Sequence, residues 1–174
     1  MAETYLSRHP GHIPLGTLDE MADLYERVYA EPPYNSAPKF SRARFVSRTR
    51  EQALTRDFTL ITARRDGVLA GYTFGFPMPP GAWWAAASRP STAILAAPKF
   101  AVIELMVDKP RRREGIGRAL LSALLDNRPE PYATLAAVVN ADAYGWYLRN
   151  GWRKTGEFRV EPPFADALLL DLPR

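Results

Sequence analysis

The sequence predicts an α/β fold, an α+β mixed sheet of about six to seven strands with four main helices, in a single domain over residues 1–174. Three observations lead there. From residue 100 onward, strand-like and helix-like segments alternate, the pattern of a sheet with a parallel central pair. The run 100–107 (FAVIELMV) is almost wholly apolar, as suits a strand covered on both faces. A second such run, 133–139, follows after a leucine-rich stretch of helical length.

Each element has its own signal. Thr17-Leu18-Asp19-Glu20 reads as a capping box with Thr17 as N-cap. Leu18, Met21, Leu24, Tyr25 and Val28 then recur at helical spacing, predicting a helix over 18–30 that Pro32-Pro33 stops. A second helix over 41–53 is anchored by Phe45 and Val46. Strands at 58–64 and 68–76 flank Asp66-Gly67, a hairpin turn. Residues 77–98 hold five prolines and the pair Trp83-Trp84. Such an insert reads as a loop, and its tryptophans suggest a substrate-side flap. A helix over 117–127 carries Leu120, Leu121, Leu124 and Leu125 and ends before Pro129. A helix over 141–150 has Gly151 as its left-handed cap. Strands near 152–160 and at 167–172 complete the chain.

Composition narrows the function. Of 174 residues, 47% are hydrophobic and 24% charged, the balance of a soluble globular domain. No apolar run approaches the roughly 20 residues that span a bilayer, and the segment Met1 to Tyr5 lacks a secretory pattern. With no cysteine, disulfides, thiol nucleophiles and cysteine-ligated metals are excluded. His9 and His12 lie in a Pro/Gly-bearing segment and read as surface residues. The expectation is a cytoplasmic protein without a metal site. A net charge of +4 is too small to mark a nucleic-acid binder and suits an anionic small ligand.

The residues Arg111-Arg112-Arg113-Glu114-Gly115-Ile116-Gly117-Arg118 stand between the first apolar strand and a helix start. A helix N-terminus offers unpartnered N–H groups and partial positive charge. Glycines let an anion approach those donors, and arginines add forked donors. The composition therefore favours a diphosphate. A dinucleotide fingerprint would need a third glycine at Leu120, and a Walker loop would need Gly-Lys-Ser/Thr. Neither is present.

Here the chain resembles the GNAT superfamily of N-acetyltransferases. The family's motif Arg/Gln-x-x-Gly-x-Gly/Ala is matched by Arg112-Arg113-Glu114-Gly115-Ile116-Gly117, with Val107 five residues before the arginine. Its second signature is matched by Asn140, Ala143, Tyr147 and Gly151, with Trp152 in place of Phe. One departure is visible: Lys109 stands where a proline is common, and Pro110 follows. The resemblance covers 99–152 well. It implies a fold whose central parallel strands splay around the site of acetyl-CoA, the acetyl-donor co-substrate. It also implies that backbone groups of Leu105, Met106 and Val107 pair with the pantetheine arm. Arg112, Arg113, Glu114, Gly115, Ile116, Gly117 and Arg118 would hold the diphosphate, and Asn140 and Tyr147 complete the cofactor contacts.

Transfer to an amine needs a neutral nucleophile and a protonated leaving thiolate. A lysine-like amine with pKa about 10.4 is neutral in only about one molecule in 10³ at pH 7, so a general base contributes. Glu104 is the only ionisable residue in the run 100–107, and burial would raise its pKa; the alternative is a carboxylate paired with a neighbouring arginine. Tyr147 holds the position of the family's general acid. The implied activity is N-acetylation of a primary amine by direct attack in a ternary complex. The acceptor, a small-molecule or peptide amine, is left open, although Tyr29, Tyr34, Trp83 and Trp84 offer aromatic surface and Glu31 is placed to attract a cation. Two alternatives stand beside it. One is a non-catalytic acyl-CoA-binding module. The other is a toxin-like enzyme acting on aminoacyl-tRNA through Arg42, Arg44, Arg48, Arg50 and Arg56, although nucleic acid is not the expected partner. Relatives commonly form homodimers.

Overall fold

The computed structural model describes residues 2–174; Met1, part of the stretch read for a secretory signal, lies outside them. Strand β1 (Thr4–Pro10) precedes helix α1 (Thr17–Tyr29), a 3₁₀ turn at Pro38–Phe40 and helix α2 (Arg42–Gln52). The hairpin β2 (Thr59–Arg65) and β3 (Val68–Met78) leads through the short helix α3 (Thr92–Ala96) to β4 (Lys99–Val107). Then come α4 (Ile116–Leu125), β5 (Tyr132–Val138), α5 (Asp142–Arg149), β6 (Arg153–Phe158) and β7 (Ala165–Asp171). The seven strands form one mixed sheet in the order β1-β2-β3-β4-β5-β7-β6. Among the described residues its single parallel pair is β4 with β5.

Two cores flank the sheet. On one face, Met21, Leu24 and Tyr25 of α1 and Phe45 of α2 meet Leu60, Tyr72, Phe74 and Met106. On the other, Leu120, Leu121 and Leu124 of α4 and Tyr147 of α5 meet Ile61, Phe100, Val102, Leu135 and Leu168. The leucines at i, i+1 and i+4 on α4 are the buried stripe that the sequence implied.

Three expectations need correction. Thr17 is not the N-cap of α1: Gly16, with φ 82°, holds that place, and Thr17 is the first helical residue. Glu20 is drawn instead to the fork of Arg64, which donates to its two oxygens at 2.8 and 2.7 Å. A bidentate ionic pair outcompetes a cap. Secondly, β1 was not foreseen. It is an edge strand paired only with β2 and exposed along most of its length, so it carries no alternating apolar pattern to read. His9 nevertheless joins it to β2 through Thr62, at 3.1 Å.

The third correction concerns 77–98, which is not a loop throughout but carries the end of β3 and the short helix α3 and packs onto the sheet. Pro77 and Met78 extend β3, and Ser91 caps α3 by accepting from the Ile94 amide. Trp84 donates to the Thr134 hydroxyl at 3.0 Å and meets Phe158 edge to face. Thr134 alternates with Ala133 and Leu135, which belong to the α4 core. Trp84 therefore lies on the opposite face, that of α1 and α2. Lys99, fully buried, donates to the carbonyls of Ile94, Leu95 and Ala97, and so ties the C-terminus of α3 to the start of β4.

Among the described residues, no helix is long and apolar enough to cross a membrane.

Candidate active site at the opened parallel pair

The β4–β5 ladder is short. It registers Lys99 with Tyr132, Phe100 with Ala133 and Ala101 with Thr134, and then stops. Beyond it the strands part, and Ala136 is exposed in the middle of β5. A narrow cleft of about 70 Å³ opens there, lined among others by Tyr29, Tyr34, Glu104, Leu105, Ala136 and Tyr147. A larger cleft of about 660 Å³ runs between α4, α5 and the C-terminal residues, past Arg118, Trp146 and Arg174. It includes neither Glu104 nor Tyr147.

A β-bulge aims the carboxylate. In the β3–β4 ladder, Phe74 pairs with Glu104 but Gly75 pairs with Val102, leaving Ile103 as the extra residue. Before it, Phe100 and Val102 face the α4 core; after it, Met106 faces the α1 core. Without the bulge Glu104 would point the other way.

Glu104 is 8% exposed. Tyr29 donates to its Oε2 at 3.3 Å and Arg48 to its Oε1 at 3.4 Å. Burial pushes its carboxyl up to about 7, against the opposing pull of Arg48 and the Tyr29 hydroxyl. Glu104 is thus a buried acid pushed upward by burial that also faces an arginine. Arg48 and Tyr29 were not singled out for this role. Their signal was spacing: Arg48 is three residues after buried Phe45, and Tyr29 four after Tyr25.

Tyr147 is buried on α5, packed edge to face with Trp146 and Trp152. Burial, reinforced by Tyr34 and Glu104, raises its hydroxyl well above the ordinary phenol value. Tyr144, on the same helix, donates to Asp166 at 2.6 Å and serves structure.

The backbone of β4 alternates in the direction it faces. The Asp108 amide bonds to the Ala70 carbonyl at 2.8 Å. By antiparallel alternation Met106 and Glu104 also turn their backbone groups to β3, whereas Leu105 and Val107 turn theirs to the open side. The cleft therefore receives Leu105 and Val107 but not the backbone of Met106. The Val107 carbonyl takes a bond from Arg112 Nε at 3.1 Å.

The loop after β4 fits an anion through its main chain. Gly115, with φ 81°, is the N-cap of α4, and no side chain caps that terminus. Arg113 is also left-handed, at φ 66°. The first-turn amides around Ile116, Gly117 and Arg118 are left for a ligand. Several side chains are engaged within the protein. Arg112 forks onto Glu31 with both bonds at 2.7 Å, Glu114 pairs with Arg65 at 3.1 Å, and Arg118 donates to Asn150 at 3.2 Å. Glu31 is thereby committed and is not free to attract a cationic amine. Asn140 is exposed in the turn between β5 and α5. Three of the four arginines of α2 also find acids: Arg42 meets Asp23, Arg44 meets Glu161, and Arg48 meets Glu104, while Arg50 is exposed. No unbroken basic strip results.

The site is thus a seven-stranded sheet opened at its parallel pair, with an uncapped glycine-led helix at the opening. Residues 18–152 match the family described as Acetyltransferase (GNAT) family. The chain belongs to that family. The fold is similar to that of PH1933 from Pyrococcus horikoshii OT3, with TM-score 0.68 at 17% identity over 99% of this chain and 100% of that one. It is also similar to the ribosomal-protein-S18-alanine N-acetyltransferase from Escherichia coli, with TM-score 0.64, 17% identity, and 99% and 96% covered. PaiA N-acetyltransferase from Thermoplasma acidophilum, solved in complex with coenzyme A, gives 0.56 at 13% identity, covering 96% and 99%. Comparison with curated proteins finds no match.

Proposed function

We propose that this protein is an acetyl-CoA-dependent N-acetyltransferase acting on a primary amine. The observation that carries the reading is the opening between β4 and β5, which Glu104 and Tyr147 line together. Supporting it are the uncapped start of α4 and the backbone groups of Leu105 and Val107 turned to the open side. The acetyl thioester would supply the activated acyl group. Leu105 and Val107 would hold its arm, and the Gly115–Gly117 amides with Arg113 its diphosphate.

The protein's own residues would manage the protons. Glu104, with a carboxyl near 7, is divided between its two forms at neutral pH and takes a proton from the acceptor ammonium. The freed nitrogen lone pair forms the new N–C bond as the C–S bond breaks. Tyr147 donates its hydroxyl proton to the departing thiolate and is reprotonated from solvent. Two protons leave the nitrogen; one ends on the thiol and one in solvent. The elevated Tyr147 hydroxyl stays protonated until thiolate forms.

The test is thiol release from acetyl-CoA across an amine panel, with Tyr147→Phe alongside. Wild type is expected to release thiol, and the variant to be slower by about 10²-fold in kcat. Undiminished turnover in Tyr147→Phe would remove that residue from the chemistry. Binding of acetyl-CoA without turnover on any amine would make the chain a binding module.

A further inference from the structure

The acceptor side of the cleft has an unusual charge arrangement. Most acids around it already own a basic partner. Glu31 holds Arg112, Asp108 holds Arg27 at 3.3 Å, and Glu161 lies 4.0 Å from Arg44. Asp142, the exception, stands exposed in the first turn of α5, where the helix start stabilises it. Among the described residues, Asp142 alone could join Glu104, and the further carboxylate that a polycationic amine would need is missing.

Arg48 is the reverse case, a cation with capacity to spare. Its one hydrogen bond to an acid is long, 3.4 Å to Glu104, and it approaches the Tyr25 hydroxyl. By contrast, Arg112 and Arg64 each grip a carboxylate with two bonds of 2.8 Å or less. A guanidinium has five N–H donors in a fork suited to carboxylate. The Arg48 side chain is 40% exposed, so part of it reaches solvent beside the candidate base, at the rim of the cleft rather than in its lining.

Access is also restricted. Lys39, from the segment joining α1 and α2, donates to the carbonyls of Glu161 and Pro163 at 2.9 and 2.6 Å. The α1–α2 segment is thus pinned to the β6–β7 connection, which favours a small acceptor over an extended chain.

Resting on the acetyltransferase reading above, we propose that the acceptor is a free amino acid whose amino group sits at Glu104 and whose carboxylate is held by Arg48. An α-amino acid carries its two charges about one ion-pair distance apart. Set against a Glu104–Arg48 pair of similar separation, it completes a ring of four alternating charges. Each is then countered, which a buried charge requires. After Glu104 takes the amine proton, the substrate carboxylate stays anchored on Arg48.

The experiment compares free α-amino acids, their C-terminal amides and short diamines as acceptors of acetyl-CoA, in wild type and in Arg48→Gln. The free acid is expected to exceed its amide by about 10²-fold in kcat/KM, chiefly through KM. In Arg48→Gln that ratio should collapse toward one. Equal rates for acid and amide in wild type, or preference for a diamine, would overturn the amino-acid assignment while leaving the transferase reading intact. Equal loss on acid and amide in Arg48→Gln would mean that the guanidinium serves Glu104 rather than substrate, and would overturn it too. No thiol release with any amine would sink both readings. The acid-to-amide comparison in wild type needs no variant and stands even if Arg48→Gln fails to fold.

Discussion

Two buried carboxylates, one at the opened β4–β5 pair and one at the start of β7, are treated in opposite ways. Glu104 is 8% exposed and Asp166 2%. Burial works to raise both. At Asp166 it is overruled: Tyr144 donates at 2.6 Å, Arg159 at 2.8 Å, and Lys154 stands 3.6 Å away, so the carboxyl is lowered. At Glu104 the same kinds of partner are present, but at 3.3 and 3.4 Å, and burial wins. The lesson is that a poised group combines deep burial with few and long hydrogen bonds, whereas a structural one is closely paired. One carboxylate locks a strand pair; the other is kept ready to change its charge.

The sharpest way to break this contrast is to neutralise each acid in turn. Glu104→Gln is expected to lower kcat/KM by about 10³-fold and to abolish the rise in rate through pH 7. Retention of that rise in the variant would assign it elsewhere. Asp166→Asn should keep the pH profile but lose about 2 kcal/mol of stability, read from denaturant midpoints. A change in the profile with little loss of stability would erase the distinction.

The two acids also predict opposite slopes of stability with pH. Glu104 has a folded value raised above its unfolded one, so its contribution is full below about 4.5 and is lost as pH rises through about 7. Asp166 has a lowered folded value, so its contribution is present above the ordinary carboxylate range and is lost as pH falls through its folded value. Thermal melts from pH 5 to 8 should therefore show wild type losing ground against Glu104→Gln as pH rises, and a constant gap would refute the buried-acid account. The smallest effect is expected from Tyr29→Phe. Losing one donor to the ionised form should move the rate profile upward by about half a unit, and a downward shift would contradict the assigned bond.

How much of this was legible in the sequence depends on which force set each feature. The α4 stripe, the apolar strands β4 and β5 and the Gly115–Gly117 turn are local, and their pattern carried over into structure. So did the splay implied by family resemblance. What escaped depends on pairing across the chain. β1 is held by β2 and has no burial pattern of its own. Glu20 left its cap for Arg64, 44 residues away. The insert looked loop-like because its anchors are remote: Trp84 needs Thr134, and Ser88 needs Glu157. Within the site, Glu104 could be named from its strand, but its aim depends on a bulge at Ile103 that no residue type announces.

The three-pair seam between β4 and β5 also reverses the usual map of protection in a sheet. Central strands ordinarily exchange their amide hydrogens most slowly, and edges fastest. Here the amides of Leu105 and Val107 lie at the middle of seven strands yet face an open gap. They would exchange like edge positions, while Phe100 and Ala101, a few residues earlier on the same strand, stay locked. A ligand seated in the gap would act as the missing strand, and the slowing of those two amides would record its arrival.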